Sequence, residues 1–228
     1  TEQGVRHVFM LPGGGAMHLN DSAGHTEGLT CVCMLHEQAA SVAAEAYARV
    51  TGGLGVCLVT TGPGGTNAVT GVTAAWLDST PCLFISGQVK RSDIKAGTGV
   101  RQMGVQEIDI VSIVRSITKY AVTITEPESI RYHLERAVHE ARSGRPGPVW
   151  IDIPLDVQAA QLHTESLPPF VPPSDQCGTP PAGLRARVEE VLHLLEESKR
   201  PVLLAGNGVR ISGGAELLGP RSEERRVG

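Results

Sequence analysis

The chain has 228 residues, of which 41% are hydrophobic and 19% are charged, a composition typical of a globular protein. Its formal net charge of -4 offers no basic surface, so neither nucleic acid nor an anionic membrane is predicted as a partner. No apolar run is long enough to span a bilayer and no signal peptide is recognisable, so we expect a cytoplasmic protein.

The five cysteines do not form a recognisable framework. Cys31, Cys33, Cys57 and Cys82 lie in apolar, strand-like runs, and Cys177 lies in a proline-rich stretch. No C-x-x-C and no metal-ligand spacing occurs, so no metal site is predicted. Most of these residues are expected to be buried thiols in a reducing compartment.

Apolar runs alternate with helical segments along residues 7–154. The predicted strands are HVFML (7–11), TCVCML (30–35), GVCLVTT (55–61), PCLFISG (81–87), TKYAVTI (118–124) and PVWIDIP (148–154). The predicted helices cover about 37–50, 65–77 and 126–142, the last with Thr125 and Glu128 as a capping box. This alternation predicts an α/β fold with a parallel sheet flanked by helices on both faces.

The two ends of the chain read differently from its middle. TEQG (1–4) is interpreted as the last turn of a helix with Gly4 just past its end, so residues 1–162 are expected to form a domain lacking its first helix. Residues 163–182 are rich in proline and predict an interdomain linker. A helix and the strand RPVLLAGNGV (200–209) follow, with another helix from near Gly213, so 183–220 is expected to be the truncated start of a second α/β domain. The charged stretch 221–228 is interpreted as an artefactual tail.

Glu37 raises the main chemical question. It is predicted to begin a helix of small apolar residues directly after a strand, and that helix is expected to be buried nearly all round. A carboxylate there could merely complement the positive end of the helix dipole. The carboxyl ends of parallel strands are, however, where open α/β sheets bind ligands.

Three glycine-containing loops are predicted at the same edge. They are PGGGA (12–16), TGPGGTN (61–67) and SGQ (86–88), and none completes a P-loop or a dinucleotide-binding fingerprint. Each of these loops by itself could be an ordinary turn, but glycine also permits a ligand to approach the backbone closely. Asn67 and Gln106 offer uncharged amides, which suit a flat polar heterocycle better than a phosphate.

The chain resembles the large, catalytic subunit of acetolactate synthase and related thiamine diphosphate enzymes. The resemblance covers about residues 4–158 and is carried by GVRHVFMLPGG, LHEQAASVAAEAYARVTG, VCLVTTGPGGTNAVTGVTAAWLDSTP, ISGQV, QEIDIV and SGRPGPVWIDIPLDVQ. It implies that the domain binds the aminopyrimidine ring of thiamine diphosphate and that a central domain follows. The GDG…N motif that binds Mg²⁺ and the diphosphate in this family is not found, so the Mg²⁺ ligands are expected elsewhere.

The resemblance also implies roles for individual residues. Glu37 matches the catalytic glutamate, which faces N1′ of the aminopyrimidine and activates the cofactor. Gly13 and Gly14 match the loop beside the reacting centre. Pro63 and Asn67 match pyrimidine contacts, and Gln106 matches a polar residue near cofactor and substrate. His25 and His36 are nearby, but a lone histidine is more often a packing or hydrogen-bonding residue.

The family implies a carboligase that decarboxylates pyruvate and transfers the two-carbon unit to a second 2-keto acid, working as a homodimer or tetramer. This chain on its own is expected to be inactive. The family commonly has Phe before the glutamine, whereas this chain has Val105, which removes bulk on the substrate side. A related 2-keto acid decarboxylase or oxidase, and a non-catalytic pyrimidine-domain module, therefore stay open as alternatives. The use of FAD also stays open.

Overall fold

A computed structural model of the chain describes residues 1–95, 97–173 and 182–217. The chain divides into two compact units, Thr1–Ser174 and Asp175–Gly228. The first unit is built on a six-stranded, all-parallel sheet of order β2-β1-β3-β4-β6-β5. Its strands are β1 His7–Met10, β2 Thr30–Cys33, β3 Gly55–Val59, β4 Cys82–Gln88, β5 Tyr120–Thr123 and β6 Pro148–Pro154.

Helices cover both faces of this sheet, so the predicted α/β fold is confirmed. The helices of the first unit are α1 Met17–His25, α2 Glu37–Thr51, α3 Pro63–Leu77, α4 Ile110–Val114, α5 Ile130–Arg142 and α6 Leu155–Gln158. Buried side chains of α2, α3 and α4 form the apolar core on one face, and those of α5 and α6 form the core on the other with α1 packed against it. Every residue of β3 and β6 is buried, because these strands are covered on both sides.

The strand predicted at 30–35 differs from the expectation of a buried strand. It is β2, which lies at the edge of the sheet, and none of its four residues is buried. Cys31 is accordingly half-buried and Cys33 exposed, whereas Cys57 and Cys82 are buried as predicted. Cys177 lies outside the described residues.

Helix α2 is less buried than predicted. One side, which includes Ala40, Ala44 and Ala48, packs into the core. The other side is open to solvent, and Val42 keeps 42% of its surface exposed. The helix is apolar on both sides because its sequence is made of small residues, but only one side meets the sheet.

The capping box predicted at Thr125 does not form. The chain makes a 3₁₀ turn over Pro127–Ser129 before α5 begins at Ile130, and neither start has a side-chain cap. Pro127 introduces this turn, and the carbonyl oxygen of Thr125 instead accepts a hydrogen bond from Arg91.

At the start of the chain, Gly4 adopts a left-handed φ of 78° and donates its N–H to the carbonyl of Thr1.

Within its described residues 182–217 the second unit contains α7 Leu184–Glu197 and α8 Gly208–Ile211, and residues 215–217 are also helical, in agreement with the helix predicted from near Gly213. Helix α7 confirms the helix predicted before residue 200, but none of its residues is buried. The strand predicted at 200–209 is absent from these residues. An isolated strand has no neighbour with which to pair its backbone, so this segment alone cannot form one. The interpretation of 221–228 as a tail lies outside the described residues.

Across the described ranges, no helix is long and apolar enough to cross a membrane. Those ranges also hold no group of three or more His, Cys, Asp or Glu side chains that is placed to bind a metal ion.

Candidate active site

The loops that follow the six strands meet at one edge of the sheet, because all the strands are parallel. Strand β2 pairs with one side of β1, and β3 pairs with the other side of β1. Strand order reverses at that point, and open α/β sheets bind their ligands in the crevice this reversal creates. The loops that flank the crevice are residues 11–16 after β1 and residues 60–62 after β3.

Glu37 is the first residue of α2 and retains 9% of its surface. His36 caps the helix, and its Nδ1 accepts the N–H of Gln38 at 3.1 Å. The Glu37 Oε2 accepts a hydrogen bond from Asn67 Nδ2 on α3 at 2.9 Å. Its Oε1 accepts none from the described residues, and a Cβ added at Gly64 would lie 3.6 Å from it. The site therefore holds a nearly buried carboxylate with one oxygen fixed and one oxygen free to meet a ligand.

The turn after β3, Thr60 to Gly64, connects the parts of the site. Thr60 Oγ1 accepts the N–H of Gly15 at 3.0 Å, and a Cβ added at Gly13 would lie 2.5 Å from the Thr60 Cβ. Gly62 has a φ of 60°, and a Cβ there would overlap the carbonyl oxygen of Gln106. These glycines are required because Gly13 lies directly against the Thr60 side chain and Gly62 against the backbone of Gln106.

A cleft of about 310 Å³ opens beside this turn. Its lining includes Gly14, Gly15, Thr61, Gln88, Val105 and Gln106. Nothing lies within 4 Å of the position where Gly14 would carry a Cβ, so this glycine keeps its part of the cleft open. Gln106 has a left-handed φ of 62°, which is unusual for a residue other than glycine, and Val105 keeps 82% of its surface exposed.

Several predicted site residues are therefore brought together. Glu37 and Asn67 touch, Pro63 is the first residue of α3, and Gly13, Gly14 and Gln106 lie in the loops around the cleft. His36 serves as a helix cap. His25 hydrogen-bonds through Nδ1 to the carbonyl of Asp21 on the exposed side of α1.

Residues 86–88, predicted as a glycine-containing loop, are instead the end of β4. Sequence reasoning assigned no role to Gln88 within that stretch and missed Asp152. The Gln88 side chain hydrogen-bonds to Thr61, to Ile108 and to Asp152, which is 1% exposed in the middle of β6. Burial raises the pKa of Asp152 to about 7, although hydrogen bonds from Ser86, Gln88 and Thr123 oppose the shift. The sequence feature that could have revealed Asp152 is its position as a carboxylate inside the apolar run PVWIDIP.

Comparison with known proteins agrees with this architecture. Residues 1–113 match the family described as "Thiamine pyrophosphate enzyme, N-terminal TPP binding domain". The chain is 39% identical over 98% of its length to "Acetolactate synthase" of Arthrospira platensis and 39% identical over 95% to "Probable acetolactate synthase large subunit" of Methanocaldococcus jannaschii. It is 40% identical over 90% to "Acetolactate synthase 2, chloroplastic" of Nicotiana tabacum.

The chain belongs to the acetolactate synthase family of thiamine diphosphate enzymes. It spans 38%, 36% and 30% of the lengths of those three relatives. The residues present fit one part of the family's cofactor, its aminopyrimidine ring. A ring nitrogen needs a hydrogen-bonding carboxylate, and Oε1 of Glu37, which accepts no hydrogen bond from the described residues, would supply it. The glycine turns let a flat ring approach the backbone.

Proposed function

We propose that this chain is the aminopyrimidine-binding part of an acetolactate synthase. In this proposal the full-length protein decarboxylates pyruvate and transfers the two-carbon unit to a second 2-keto acid. The observation that carries the proposal is the Glu37 carboxylate, fixed by Asn67 through one oxygen and free at the other, beside Gly64 in the turn after β3 that flanks the reversal point of the sheet. The identity to acetolactate synthases over nearly the whole chain supports it.

Glu37 would accept and return a proton at Oε1, where it meets N1′ of the aminopyrimidine. Asn67 orients the carboxylate by holding Oε2, so that the free oxygen faces the ring. Pro63, Gly13 and Gly14 would line the ring and the reacting centre, and Gln106 would contact the substrate side. When bound, thiamine diphosphate supplies the electron sink for decarboxylation of the 2-keto acid.

The division of labour within the full-length protein is part of the proposal. Residues 1–162 would be the pyrimidine domain, 163–182 a linker and 183–220 the start of a central domain. The Mg²⁺ ligands and the diphosphate site would lie outside this chain, and a homodimer or tetramer would bring them to Glu37. FAD would be required only if the central domain binds it.

The test uses the full-length protein with pyruvate, thiamine diphosphate and Mg²⁺. We expect acetolactate to form, and its formation to stop when either the cofactor or the metal is withheld. Acetaldehyde or acetate as the sole product would instead support a decarboxylase or an oxidase. Val105, which is exposed at the cleft, favours the decarboxylase or oxidase as a second candidate function. Valine is smaller than the phenylalanine common at this position in the family, so it leaves space for a different substrate. No turnover of any 2-keto acid would support a non-catalytic module.

A further inference from the structure

Gln88, the last residue of β4, uses its side-chain amide completely. Its Nε2 donates to the carbonyl oxygen of Ile108 at 2.9 Å and to Asp152 Oδ2 at 3.0 Å. Its Oε1 accepts from Thr61 Oγ1 at 2.9 Å and from the N–H of Val89 at 3.0 Å. A carbonyl can only accept and a backbone N–H can only donate, so these partners fix which end of the amide is nitrogen.

The partners of Gln88 belong to segments that shape the cleft. Thr61 lies in the turn after β3, and Ile108 ends the segment 104–108 that carries Val105 and Gln106. Gly62 already packs against the carbonyl of Gln106, so the turn and the segment touch directly. Gln88, in the wall of the cleft, connects them a second time through its side-chain amide.

The segment 104–108 needs such a tie because its backbone is unusual. Gln106 holds a left-handed φ of 62°, which a residue other than glycine keeps only when its surroundings enforce it. The neighbouring Glu107 supplies a local anchor, since its carboxylate accepts the N–H groups of Lys95 and Met103 at 2.7 and 2.8 Å. The bond from Gln88 to Ile108 anchors the same segment to the sheet.

Asp152 orients Gln88. Its Oδ1 accepts the hydroxyl of Ser86 at 2.6 Å, and its Oδ2 accepts from Thr123 at 3.1 Å as well as from Gln88. Ser86 is itself held by Trp150, whose Nε1 donates to the Ser86 Oγ at 2.9 Å. A buried carboxylate without such partners would be costly. Because every oxygen of Asp152 is engaged, the contacts fix the orientation of both the Asp152 and the Gln88 side chains.

We propose that Gln88, oriented by Asp152, is a positioning residue that fixes the Gln106 segment against the turn at Gly62 and Pro63. It thereby sets the substrate side of the site. The inference rests on the proposed function, because the segment matters to catalysis only if the site binds cofactor and 2-keto acid. An amide suits the position because it offers two donor and two acceptor directions, whereas Glu offers only acceptors and Met offers no strong donor.

The main competing explanation is that Gln88 only satisfies a buried polar core. A reciprocal exchange separates the two. Gln88→Glu alone places two acceptors against Asp152 and Ile108. Adding Asp152→Asn restores a donor–acceptor pair between the two side chains and keeps the net charge, but it leaves the Ile108 carbonyl without its donor. The double variant therefore restores the contact between positions 88 and 152 and leaves the tie to Ile108 broken.

The first measurement is hydrogen–deuterium exchange in the full-length protein without cofactor. The amides of Glu107 and Ile110, which bond to the carbonyls of Gly104 and Ile108, report on the segment. We expect exchange in the peptide covering 104–110 to be at least tenfold faster in the double variant than in wild type, with a melting temperature above that of the Gln88→Glu single variant. Leu54→Ala is the control, because it removes buried apolar surface at the opposite end of β3. It should lower the melting temperature without selectively accelerating this peptide.

The second measurement is steady-state kinetics with pyruvate at saturating cofactor. We expect kcat to fall at least tenfold in the double variant, while the apparent affinity for thiamine diphosphate changes less than threefold. Wild-type exchange rates at 104–110 in the double variant, or a wild-type kcat, would overturn the positioning role. If the wild-type protein itself shows no cofactor-dependent turnover, the proposed function fails, and hydrogen exchange still decides whether Gln88 holds the segment.

A second variant tests the same connection in case the double variant does not fold. Thr61→Val keeps the shape of the side chain but removes the hydroxyl that donates to Gln88 Oε1. The bond between Gln88 and Asp152 is left intact. We expect faster exchange in the peptides covering 60–66 and 104–110, and unchanged exchange in both would overturn the inference.

Discussion

At the scale of single residues, the site depends on how Glu37 is held. Glu37 is nearly buried and accepts one hydrogen bond from the residues that the structure describes, which is costly because burial removes the water that would otherwise solvate the carboxylate. Asn67 offsets part of that cost and selects which oxygen faces outward. Complementing the helix dipole would be worth only about 0.3–1 kcal/mol and would not require burial.

Glu37→Gln in the full-length protein should abolish proton sharing while keeping shape. The glutamine oxygen can still accept from Asn67, so folding should be little affected. We expect kcat to fall about 10²–10⁴-fold, the usual contribution of an acid–base group, with a much smaller change in cofactor affinity. Exchange of the cofactor's C2 proton into deuterated water measures the affected step directly.

Glu45→Gln is the matched control for this experiment. Glu45 lies on the same helix α2 and is buried to a similar extent, but its carboxylate accepts from Arg49 and Thr80 away from the cleft. It should reduce stability and leave C2-proton exchange unchanged. Wild-type exchange in the Glu37→Gln protein would show that Glu37 does not activate the cofactor, and the helix-dipole reading would then be preferred.

Asp152 should make stability depend on pH. Its pKa is about 7 in the folded chain, because burial disfavours the charged form and the charge of Asp109 adds to that effect, whereas an unfolded aspartate has a pKa of about 3.9. The unfolded state therefore releases this proton first as pH rises. The free energy of unfolding should decrease between about pH 4 and pH 7, by roughly 4 kcal/mol at most.

Asp152→Asn should flatten this decrease when unfolding by urea is followed at several pH values. Asp156→Asn is the control. Although partial burial opposes it, hydrogen bonds from Arg91 hold the pKa of Asp156 below its usual value, so its stabilising effect is lost only below about pH 4. That variant should lower stability across pH 4–7 without changing the slope. An unchanged slope in the Asp152→Asn protein would contradict the assignment.

At the scale of elements, the close crossing of α2 and α3 positions Glu37 beside Asn67. The crossing depends on Gly71, since a Cβ there would overlap the Oγ of Ser41 and lie 2.5 Å from its Cβ. Ser41 is fully buried and its Oγ donates to the carbonyl of Gln38 in the first turn of α2. A larger residue at position 71 must therefore push the two helices apart.

Gly71→Ala should destabilise the protein by about 1–3 kcal/mol, the usual cost of overpacking a core. Gly24→Ala on α1 is the control, because its Cβ would meet nothing within 4 Å. Alanine there should raise stability by about 0.4–1 kcal/mol. Chemical denaturation of both variants measures the difference, and equal stabilities would mean that the α2–α3 contact is not tight.

At the scale of the whole molecule, apolar surface remains uncovered in the first unit. Leu35 is fully exposed in the loop before α2, and Val42 on α2 and Leu77 at the end of α3 are exposed at 42% and 68%. Exposed apolar surface of this kind marks a contact with another protein surface or a risk of aggregation. In a protein built on the plan of the relatives, further chain would be available to cover it.

We expect the isolated 228-residue chain to self-associate and to have no carboligase activity. Light scattering at increasing concentration measures the first property, and acetolactate formation from pyruvate measures the second. Leu35→Lys combined with Val42→Glu should reduce self-association, because both positions are exposed on the uncovered surface. A monodisperse wild-type monomer at high concentration, or acetolactate above a no-protein control, would contradict these expectations.

The sequence by itself determined the fold class, the six strands and three of the six helices of the first unit, and the family resemblance; the short helices α4 and α6 and the helix α1 were not predicted. Alternation of apolar runs with helical segments is a local property of the chain, so it can be read without knowing any contact. Glu37 was likewise visible, since a carboxylate between an apolar strand and an apolar helix is conspicuous. Where local signals competed, as at Thr125 before Pro127, the prediction was wrong.

Only the tertiary structure decided which surfaces are covered and which polar groups meet. It placed β2 at the edge of the sheet and left one side of α2 open, because strand order and helix packing are not encoded in local periodicity. It also joined Gln88 to Asp152, 64 residues away, and Asn67 to Glu37, 30 residues away. Such pairs depend on distance and orientation in space, so no spacing along the chain predicts them.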